Sequence, residues 1–323
     1  MKAAVLNKLG IAPQYLDFAD PVAENENQLV IRVKAASVKN LEKGRASGAH
    51  YGSYTHLPVV VGIDGVGLLE DGTRVFAMGV TGMIAEKALV NKGNLVKLPE
   101  QLDDVTAAAL PNAVFGAAMA LRFRAAIQPG ETVLVNGATG VTGTLAVQIA
   151  KHYGAKKVIA TGRNQESLKK LTQLGADETI SLKQSDEQII EQIKTLHSNT
   201  PIDIIIDYTW GHPAELILDS LKGGGVNAIT HRVRFVTLGG MAGDTIQLSS
   251  GILRSSAIEI LGSGLGSHSK ESMHKLFTEV LPEMFNLAAD GKLKIETVTA
   301  PIKDIEKAWN MDIPSGKRLV IVI

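Results

Sequence analysis

The chain has 323 residues, with 33 basic and 33 acidic side chains and no cysteine. At about 100–200 residues per domain, this length predicts two domains, and the 45% hydrophobic content excludes an intrinsically disordered chain. The formal net charge of zero argues against a general nucleic-acid or anionic-membrane binder. The missing cysteines exclude disulfides, iron–sulfur clusters and thiolate metal sites.

The first hundred residues have the pattern of short strands separated by turns. Apolar, β-branched runs broken by Gly, Pro and Asn occur at Met1–Leu6, Gln28–Ala35, Val59–Leu69 and Thr73–Ala77. Their close spacing predicts an antiparallel barrel or sandwich. Met1–Phe18 contains no apolar signal core, and no run reaches about 18 uncharged apolar residues, so we expect a soluble cytoplasmic protein with no membrane partner.

The sequence pattern changes after an Ala-rich segment, Asp103–Arg124, whose predicted helix is interrupted at Pro111. From there strands and helices alternate, which is typical of a parallel sheet covered by helices. The predicted strands are Glu131–Asn136, Lys157–Thr161, Ile202–Asp207, Arg234–Leu238 and an edge strand, Ile258–Leu261. The predicted helices are Thr144–Tyr153, Gln165–Leu174 and one from Ser185 to about His197.

The last part of the chain returns to a different pattern. A long helix, Ser269–Asp290, precedes a short strand, a short helix and a closing strand at Arg318–Ile323. The sequence therefore predicts a β-rich domain, an inserted nucleotide-binding domain and a return to the first domain.

A glycine-rich turn joins the first strand of the alternating region to its helix. The pattern is A-x-G-x-x-G, formed by Ala138, Thr139, Gly140, Val141, Thr142 and Gly143. Glycines let the backbone approach a pyrophosphate, and the following helix offers free N–H groups and the positive end of its dipole. The strand before and the helix after the turn favour a dinucleotide site over a glycine turn without a ligand.

The residues at the end of the second strand indicate whether the cofactor is NAD or NADP. An NAD enzyme places Asp or Glu there, whereas this chain has Gly162, Arg163 and Asn164. A guanidinium pairs bidentately with a 2′-phosphate, so the sequence favours NADP(H), the alternative being a solvated arginine at a strand end. Ligands bind outside the carboxyl ends of parallel strands, so further candidate cofactor contacts are Thr209, Leu238, Gly239, Gly240 and Met241.

These residues and their flanks resemble the medium-chain dehydrogenase/reductase superfamily, specifically its zinc-free quinone-oxidoreductase branch. The resemblance extends over nearly the whole chain through Ala35–Val38, Gly62-x-Asp64-Gly65-x-Gly67, Leu110-Pro111, Gly130-Glu131-x-x-Leu134, Gln148, Lys151 and Gly316-Lys317-Arg318. It implies an α/β protein with a GroES-like catalytic domain at 1–122 and 265–323 and a Rossmann domain, a doubly wound parallel sheet, at 123–264. A cleft holding the nicotinamide is implied as well.

The resemblance also bears on metal and reaction. Zinc-dependent relatives carry Cys and a Gly-His-Glu motif, which Gly62-Ile63-Asp64 matches here without the histidine, so no metal is expected. Hydride delivery to a quinone or an α,β-unsaturated carbonyl demands less of a protein than alcohol oxidation without a Lewis acid. We therefore expect NADPH-dependent reduction of such a small electrophile. The alternatives are an alcohol or aldehyde reductase of the same superfamily and a weakly catalytic, redox-sensing NADPH binder.

Three catalytic candidates follow from the family register. Relatives often have Val-Asn-x-x-Asp where this chain has Val38-Lys39-Asn40-Leu41-Glu42, so Lys39 or Asn40 is expected to face the nicotinamide. Lys39 is a candidate enolate stabiliser or proton donor, or else a surface lysine that caps a turn. Tyr51 lies in a loop that shapes the substrate pocket of relatives, and Lys317 matches a family cofactor contact.

Relatives pair the last Rossmann strand across a twofold axis, which predicts a homodimer.

Overall fold

A computed structural model of the chain describes residues 1–223 and 231–323. The packing of Cα atoms divides the chain into two compact units. Unit 1 comprises Met1–Pro111 and Phe277–Ile323, and unit 2 comprises Asn112–Leu276. The sequence-based domain limits lie at residues 122 and 264, whereas the chain passes from one unit to the other after Pro111 and after Leu276.

The strands and helices of the described residues follow in chain order. The strands are β1 (Lys2–Leu6), β2 (Gln14–Asp17), β3 (Gln28–Val38), β4 (Val59–Val60), β5 (Asp64–Leu68), β6 (Arg74–Met78), β7 (Lys87–Asn91), β8 (Val96–Lys97), β9 (Thr132–Asn136), β10 (Lys157–Gly162), β11 (Glu178–Ser181), β12 (Ile204–Asp207), β13 (Val233–Thr237), β14 (Ile258–Gly262), β15 (Glu296–Pro301) and β16 (Lys317–Val322). The helices are α1 (Asn40–Ser47), α2 (Asp104–Ala109), α3 (Pro111–Val114), α4 (Val141–His152), α5 (Gln165–Gln173), α6 (Asp186–Asn199), α7 (Gly211–Ser220), α8 (Ser250–Ser255), α9 (Lys270–Lys275), α10 (Leu281–Ala289) and α11 (Ile305–Trp309).

Unit 2 is built on a parallel sheet. Its described strands lie in the order β11-β10-β9-β12-β13-β14, the doubly wound Rossmann order. The central strands are largely apolar because helices cover the sheet, and Leu134, Ile159, Ile205 and Phe235 are fully buried. The predicted α/β fold class is therefore confirmed, with β14 at an edge of the described sheet as the sequence indicated.

Unit 1 is rich in antiparallel strands. A small sheet has the order β2-β1-β4, and a larger one has the order β15-β16-β3-β5-β6-β8 with β7 paired to β3. The closing strand β16 runs antiparallel to β3, with Leu319 opposite Val38. This pairing brings the last residues of the chain beside the end of β3, where Lys39 begins helix α1.

One predicted strand is two strands in the structure. The apolar run Val59–Leu69 divides into β4, which pairs with β1, and β5, which pairs with β3 and β6. Gly62 separates them with φ +104°, and a Cβ there would lie 2.8 Å from the backbone nitrogen of Ile84. Only glycine allows this turn, and the turn carries Asp64 away from the first sheet.

Two predicted helical segments differ from regular α-helices in the structure. The Ala-rich segment is interrupted at Pro111 as predicted, and it continues as a π-helix over Phe115–Arg124. The predicted long helix Ser269–Asp290 is divided by a π-helical turn, Leu276–Val280. The described residues include no helix that is both long and apolar enough to span a bilayer.

Candidate functional site

The glycine turn in unit 2 follows the end of β9 and opens into helix α4. Gly137 has φ +79°, and a Cβ on Gly143 would lie 2.5 Å from the carbonyl oxygen of Gly137. The helix therefore begins against the turn more closely than any side chain allows. Gly140 is the N-cap residue and provides no side-chain cap, so the first N–H groups of α4 are offered to a ligand. This is the geometry of an anion site.

A buried polar network lies beneath this turn and joins three strand ends. Asn136 Nδ2 donates to Asp207 Oδ1 (2.8 Å) and to Thr209 Oγ1 (2.7 Å). Thr161 Oγ1 donates to Asn136 Oδ1 (2.5 Å) and accepts from the backbone N–H of Gly137 (3.2 Å). The network thus fixes the peptide that enters the turn. We call Asn136, Thr161, Asp207 and Thr209 the strand-end network.

Sequence reasoning missed three members of the strand-end network and found only Thr209. Asn136, Thr161 and Asp207 are each fully buried. The available signal was that three apolar strands carry a polar residue at or next to their last position, at the same edge of a parallel sheet. Register places Asp207 directly opposite Asn136, and that pairing is what makes the strand-end polar residues meet.

Asp207 is held by backbone N–H groups rather than by a cation. Its Oδ1 accepts from the N–H of Thr209 (3.0 Å), and its Oδ2 accepts from the N–H of Trp210 (3.0 Å). Burial raises the pKa of Asp207, and these hydrogen bonds oppose the rise. Trp210 has φ +51°, a conformation that costs energy for a side chain this large, so the carboxylate also stabilises a strained turn.

The structure places the other predicted loop residues beside this network. The backbone N–H of Leu238 donates to the carbonyl oxygen of Asp207 (2.8 Å). The N–H of Ala242 donates to the carbonyl oxygen of Thr209 (2.7 Å), so Leu238–Met241 forms a loop next to Thr209. Gly239 and Gly240 form the middle of that loop, and the Met241 side chain is 76% exposed.

The end of β10 differs among its three predicted residues. A Cβ on Gly162 would collide with the Thr139 side chain, so the strand end touches the glycine turn. Asn164 is the N-cap of α5, where its Oδ1 accepts from the N–H of Ser167 (3.0 Å). Arg163 lies between them with an exposed side chain. Of these three residues, only Arg163 has a side chain that is both charged and accessible.

Gly116 lies so close to the glycine turn that there is no room for a side chain. A Cβ there would lie 2.8 Å from Thr142 Cγ2, next to the glycine turn. Its carbonyl oxygen accepts a hydrogen bond from the hydroxyl of Tyr208 (2.9 Å). The π-helical segment thus packs directly against the start of α4, and a larger residue would displace it.

A second polar group, in unit 1, consists of charged side chains. Lys39 Nζ lies 2.8 Å from Glu42 Oε1 and 2.6 Å from Asp64 Oδ1. Lys39 is 2% exposed, Glu42 is 0% exposed and Asp64 is 7% exposed. Glu42 Oε2 also accepts from the backbone N–H of Lys39 (3.0 Å), at the start of α1. Lys39 is therefore not a surface lysine, which removes that interpretation of the sequence.

The formal charges of this group balance, and burial raises the pKa of Glu42 while the ammonium of Lys39 acts in the opposite direction. Burial opposes the charge of Lys39, but the carboxylates of Asp64 and Glu42 outweigh it and raise the pKa of Lys39. Arg318, on β16, is also buried; burial lowers the pKa of its guanidinium, while Glu42 and Asp64 act in the opposite direction. Two basic and two acidic side chains thus lie buried, and the two acids act on the charge of Arg318. We call Lys39, Glu42, Asp64 and Arg318 the ionic quartet.

The remaining predicted residues of unit 1 lie outside the ionic quartet. Asn40 is the first residue of α1 and is exposed. Tyr51 is 92% exposed and its ring lies 4.1 Å from that of His50. Lys317 Nζ forms an ion pair with Glu296 Oε2 (3.4 Å) between neighbouring strands. Their predicted contacts with substrate and cofactor stay predictions.

Comparison with known proteins gives consistent relatives. A family model described as "Zinc-binding dehydrogenase" matches residues 141–282. The chain is 30% identical over 303 residues to the quinone oxidoreductase of Sus scrofa, which covers 90% of this chain and 86% of that protein. It is 27% identical to a probable NADPH-dependent quinone reductase, tdiC, of Emericella nidulans, with 96% of both chains covered. The solved quinone oxidoreductase of Thermus thermophilus, described with its NADPH complex, is 29% identical with a TM-score of 0.80 over both full chains.

The description of the family model implies zinc, and the donor atoms of this chain test that implication. The sequence contains no cysteine. Within residues 1–223 and 231–323, no three His, Asp or Glu side chains are grouped so that they could hold a metal ion. The buried acid pair Glu42 and Asp64 is already bound to the ammonium of Lys39. These residues do not fit a zinc centre.

Proposed function

Because the chain belongs to the quinone oxidoreductase-like branch of the medium-chain dehydrogenase/reductase superfamily, an oxidoreductase family, we propose that it is an NADPH-dependent, metal-free reductase. Its proposed substrate is a quinone or an α,β-unsaturated carbonyl compound. The observation that carries the proposal is the combination, in one unit, of an uncapped glycine turn and an exposed Arg163 at the end of the second strand. The names of the relatives point to the same cofactor.

The proposed cofactor contacts use backbone and charge. The N–H groups at the start of α4 receive the pyrophosphate, and Gly137 and Gly143 let it approach. The guanidinium of Arg163 pairs with the 2′-phosphate, and its neighbours Gly162 and Asn164 carry no carboxylate that would repel it. Thr209 and the loop Leu238–Met241 lie at the carboxyl ends of the next strands, where they are proposed to hold the nicotinamide half.

The chemistry requires little acid–base machinery from the protein. The reduced nicotinamide supplies a hydride when bound, and a proton from solvent or a side chain completes the two-electron reduction of the quinone or enone. The chain orients the reactants, excludes water and donates hydrogen bonds to the oxygen on which charge develops. Asn40 and Tyr51 are the proposed accessible donors of unit 1. Lys39 Nζ already donates a hydrogen bond to Asp64 and lies within ion-pair distance of Glu42, so its predicted donor role depends on its remaining N–H groups.

Cofactor titration tests the proposal. NADPH and NADH are titrated into the wild type, Arg163→Ala and the control Arg254→Ala, whose exposed arginine lies on α8. Loss of a bidentate, charge-assisted contact weakens NADPH binding by about 10- to 100-fold, or about 1.5–3 kcal/mol. NADH binding and the Arg254→Ala variant stay near wild type. Equal wild-type affinities for the two cofactors would contradict the choice of NADPH.

A turnover assay separates the proposal from its rivals. NADPH oxidation is followed with a panel of quinones, enones, aldehydes and, in reverse, alcohols. Quinone or enone turnover supports the proposal, and turnover of aldehydes alone favours the alternative reductase. The burial of Lys39 in the ionic quartet favours one further candidate, a weakly catalytic NADPH binder. That candidate is indicated if NADPH binds but no substrate in the panel is reduced.

We also propose that the protein is a homodimer through the edge of the unit 2 sheet. Strand β14 pairs with β13 on one side, and its Ile260 and Leu261 are only half-buried. The unpaired backbone N–H and C=O groups of an apolar edge strand can pair with the same strand of a second copy across a twofold axis. Light scattering at micromolar concentration measures the mass. Replacement of Ile260 by Lys on this edge gives a monomer, whereas a monomeric wild type would contradict the proposal.

A further inference from the structure

The ionic quartet contains an acid pair of the kind that proteins use to hold cations. Glu42 and Asp64 are both buried, and one ammonium nitrogen lies within 2.8 Å of Glu42 and 2.6 Å of Asp64. Two carboxylates brought together away from water repel each other unless a cation lies between them. Here that cation belongs to the chain itself. The donor atoms, as described above, do not fit zinc.

We propose that the ammonium of Lys39 is a covalently tethered cation that occupies the position of a metal ion between Glu42 and Asp64 and closes this acid pair to divalent cations. Lys39 is a positioning residue in this proposal. It precedes α1, Glu42 lies on the first turn of α1 and Asp64 begins β5. The single ammonium therefore fixes a helix start and a strand start at one point, as a structural metal ion does.

Charge balance supports the exclusion of a metal. The two carboxylates of the ionic quartet are matched by Lys39 and Arg318, and the charge of Arg318 is felt by both acids. A divalent ion added to this group would leave an excess of two positive charges in a buried place, which is costly. Removal of the Lys39 ammonium would leave one excess negative charge together with free oxygen ligands. The same acid pair would then favour a cation from solution.

The geometry of Glu42 adds a second reason. Its Oε2 accepts from the backbone N–H of Lys39 at 3.0 Å, while Oε1 faces the ammonium. The backbone hydrogen bond does not need the lysine side chain. Glu42 therefore stays oriented toward the cation position when that side chain is shortened, so the acid pair is preorganised for a replacement ion.

The test uses Lys39→Ala in the full-length protein, with Co²⁺, Zn²⁺ and methylammonium as probes. Unfolding temperature is measured by calorimetry, and Co²⁺ binding is followed by equilibrium dialysis and visible absorption. We expect Lys39→Ala to bind close to one Co²⁺ per chain, and its Tm to rise by about 5 °C or more at a hundredfold excess over the dissociation constant. Methylammonium, which restores the missing group, raises the Tm as well.

Controls separate this site from general ion binding. Lys39→Arg keeps a cation in place and should bind no Co²⁺. Lys87→Ala removes an exposed lysine that pairs with Asp20 in the same unit, and its Tm should not respond to the probes. The double variant Lys39→Met/Glu42→Gln keeps Asp64 as the counter-charge of Arg318, so the formal charges still balance and it should fold without any added ion.

The outcomes decide the proposal without reference to NADPH or turnover, so its failure is distinguishable from failure of the proposed function. Saturable binding by Lys39→Ala that is absent from the wild type supports it. Equal Co²⁺ binding by the wild type, or no stabilisation of Lys39→Ala by any probe, overturns it. If Lys39→Ala is recovered unfolded, refolding with Co²⁺ or methylammonium supports the proposal. Failure of both, while the double variant folds, overturns it.

Discussion

The molecule contains two buried polar groups that satisfy their carboxylates in opposite ways. In the ionic quartet of unit 1, Glu42 and Asp64 face the ammonium of Lys39. In the strand-end network of unit 2, Asp207 accepts from the N–H groups of Thr209 and Trp210 and from the Asn136 amide, and no basic side chain of residues 1–223 or 231–323 forms an ion pair with it. The formal charges of the ionic quartet sum to zero, and each charged side chain is stabilised by the opposite charges beside it. The second uses its negative charge to orient backbone.

The difference teaches where each group can contribute to function. A self-neutral ion cluster attracts no further charge, so its effect is on the arrangement of β3, α1 and β5. The strand-end network lies directly beneath a turn whose N–H groups point outward, and it holds those groups in place before any ligand arrives. Disruption of the first should appear mainly as lost stability. Disruption of the second should appear mainly as lost cofactor affinity.

The largest effect is expected for Lys39→Met. Loss of the ammonium leaves two buried carboxylates without their cation, which destabilises a protein by about 3–5 kcal/mol. Denaturant unfolding in EDTA measures the effect, and Lys39→Arg serves as the control. A loss below about 1 kcal/mol, the range of surface pairs, would show that the cluster is solvated.

The next effect is expected for Asn136→Ala in the strand-end network. Asp207 loses a donor and Thr161 loses its acceptor, each in a buried place. Unsatisfied buried groups cost about 1–3 kcal/mol, and a turn held less firmly should weaken NADPH binding about 5- to 100-fold by the same principle. Isothermal titration gives the affinity, and thermal unfolding gives the stability.

Asp203→Ala is the matched control for that variant. Asp203 Oδ2 accepts from the backbone N–H of Thr132 at 2.7 Å, so it joins the same two strands at their amino-terminal ends. Its removal should lower stability and leave NADPH affinity unchanged. If both variants weaken the cofactor equally, the strand-end network only stabilises the sheet and the distinction between the two regions fails.

The smallest effect is expected for an exposed ion pair. His212 Nε2 lies 2.9 Å from Asp186 Oδ2, and hydrogen bonds to Asp186 and Glu215 raise the pKa of His212. Because the folded pKa lies above the ordinary value, the stabilisation is complete below pH about 6.5 and disappears as pH rises through the raised pKa. The side chain is 59% exposed, so solvent screening limits the effect to about 0.5 kcal/mol.

Unfolding of wild type and His212→Gln across this pH range measures that contribution. The two proteins should differ in stability at pH about 6 and coincide at pH about 9. A difference that grows with pH would have the wrong sign for a raised pKa. A difference as large as that of Lys39→Met would show that burial does not separate the ionic quartet from surface pairs.

The sequence by itself determined the features that depend on local pattern. Alternation of apolar strands and helices after residue 130 predicted the parallel sheet of unit 2, because strands covered on both faces are apolar throughout. Strand β11 was missed since its residues, Glu178–Ser181, are mostly polar and lie at the sheet edge. The glycine turn was identifiable because close backbone approach admits no other residue at Gly143.

The tertiary structure alone decided which polar residues meet. Asn136 and Asp207 are far apart in sequence and are joined by strand register, while Lys39 and Asp64 are joined because Gly62 turns the chain out of one sheet and into another. The family register indicated Lys39 as a residue of interest, yet its burial and its two carboxylate partners depend on long-range packing. Local sequence pattern determines which residues form each helix or strand. The energy of a buried charge depends instead on neighbouring charges and dipoles that are distant in sequence and come together only when the chain folds.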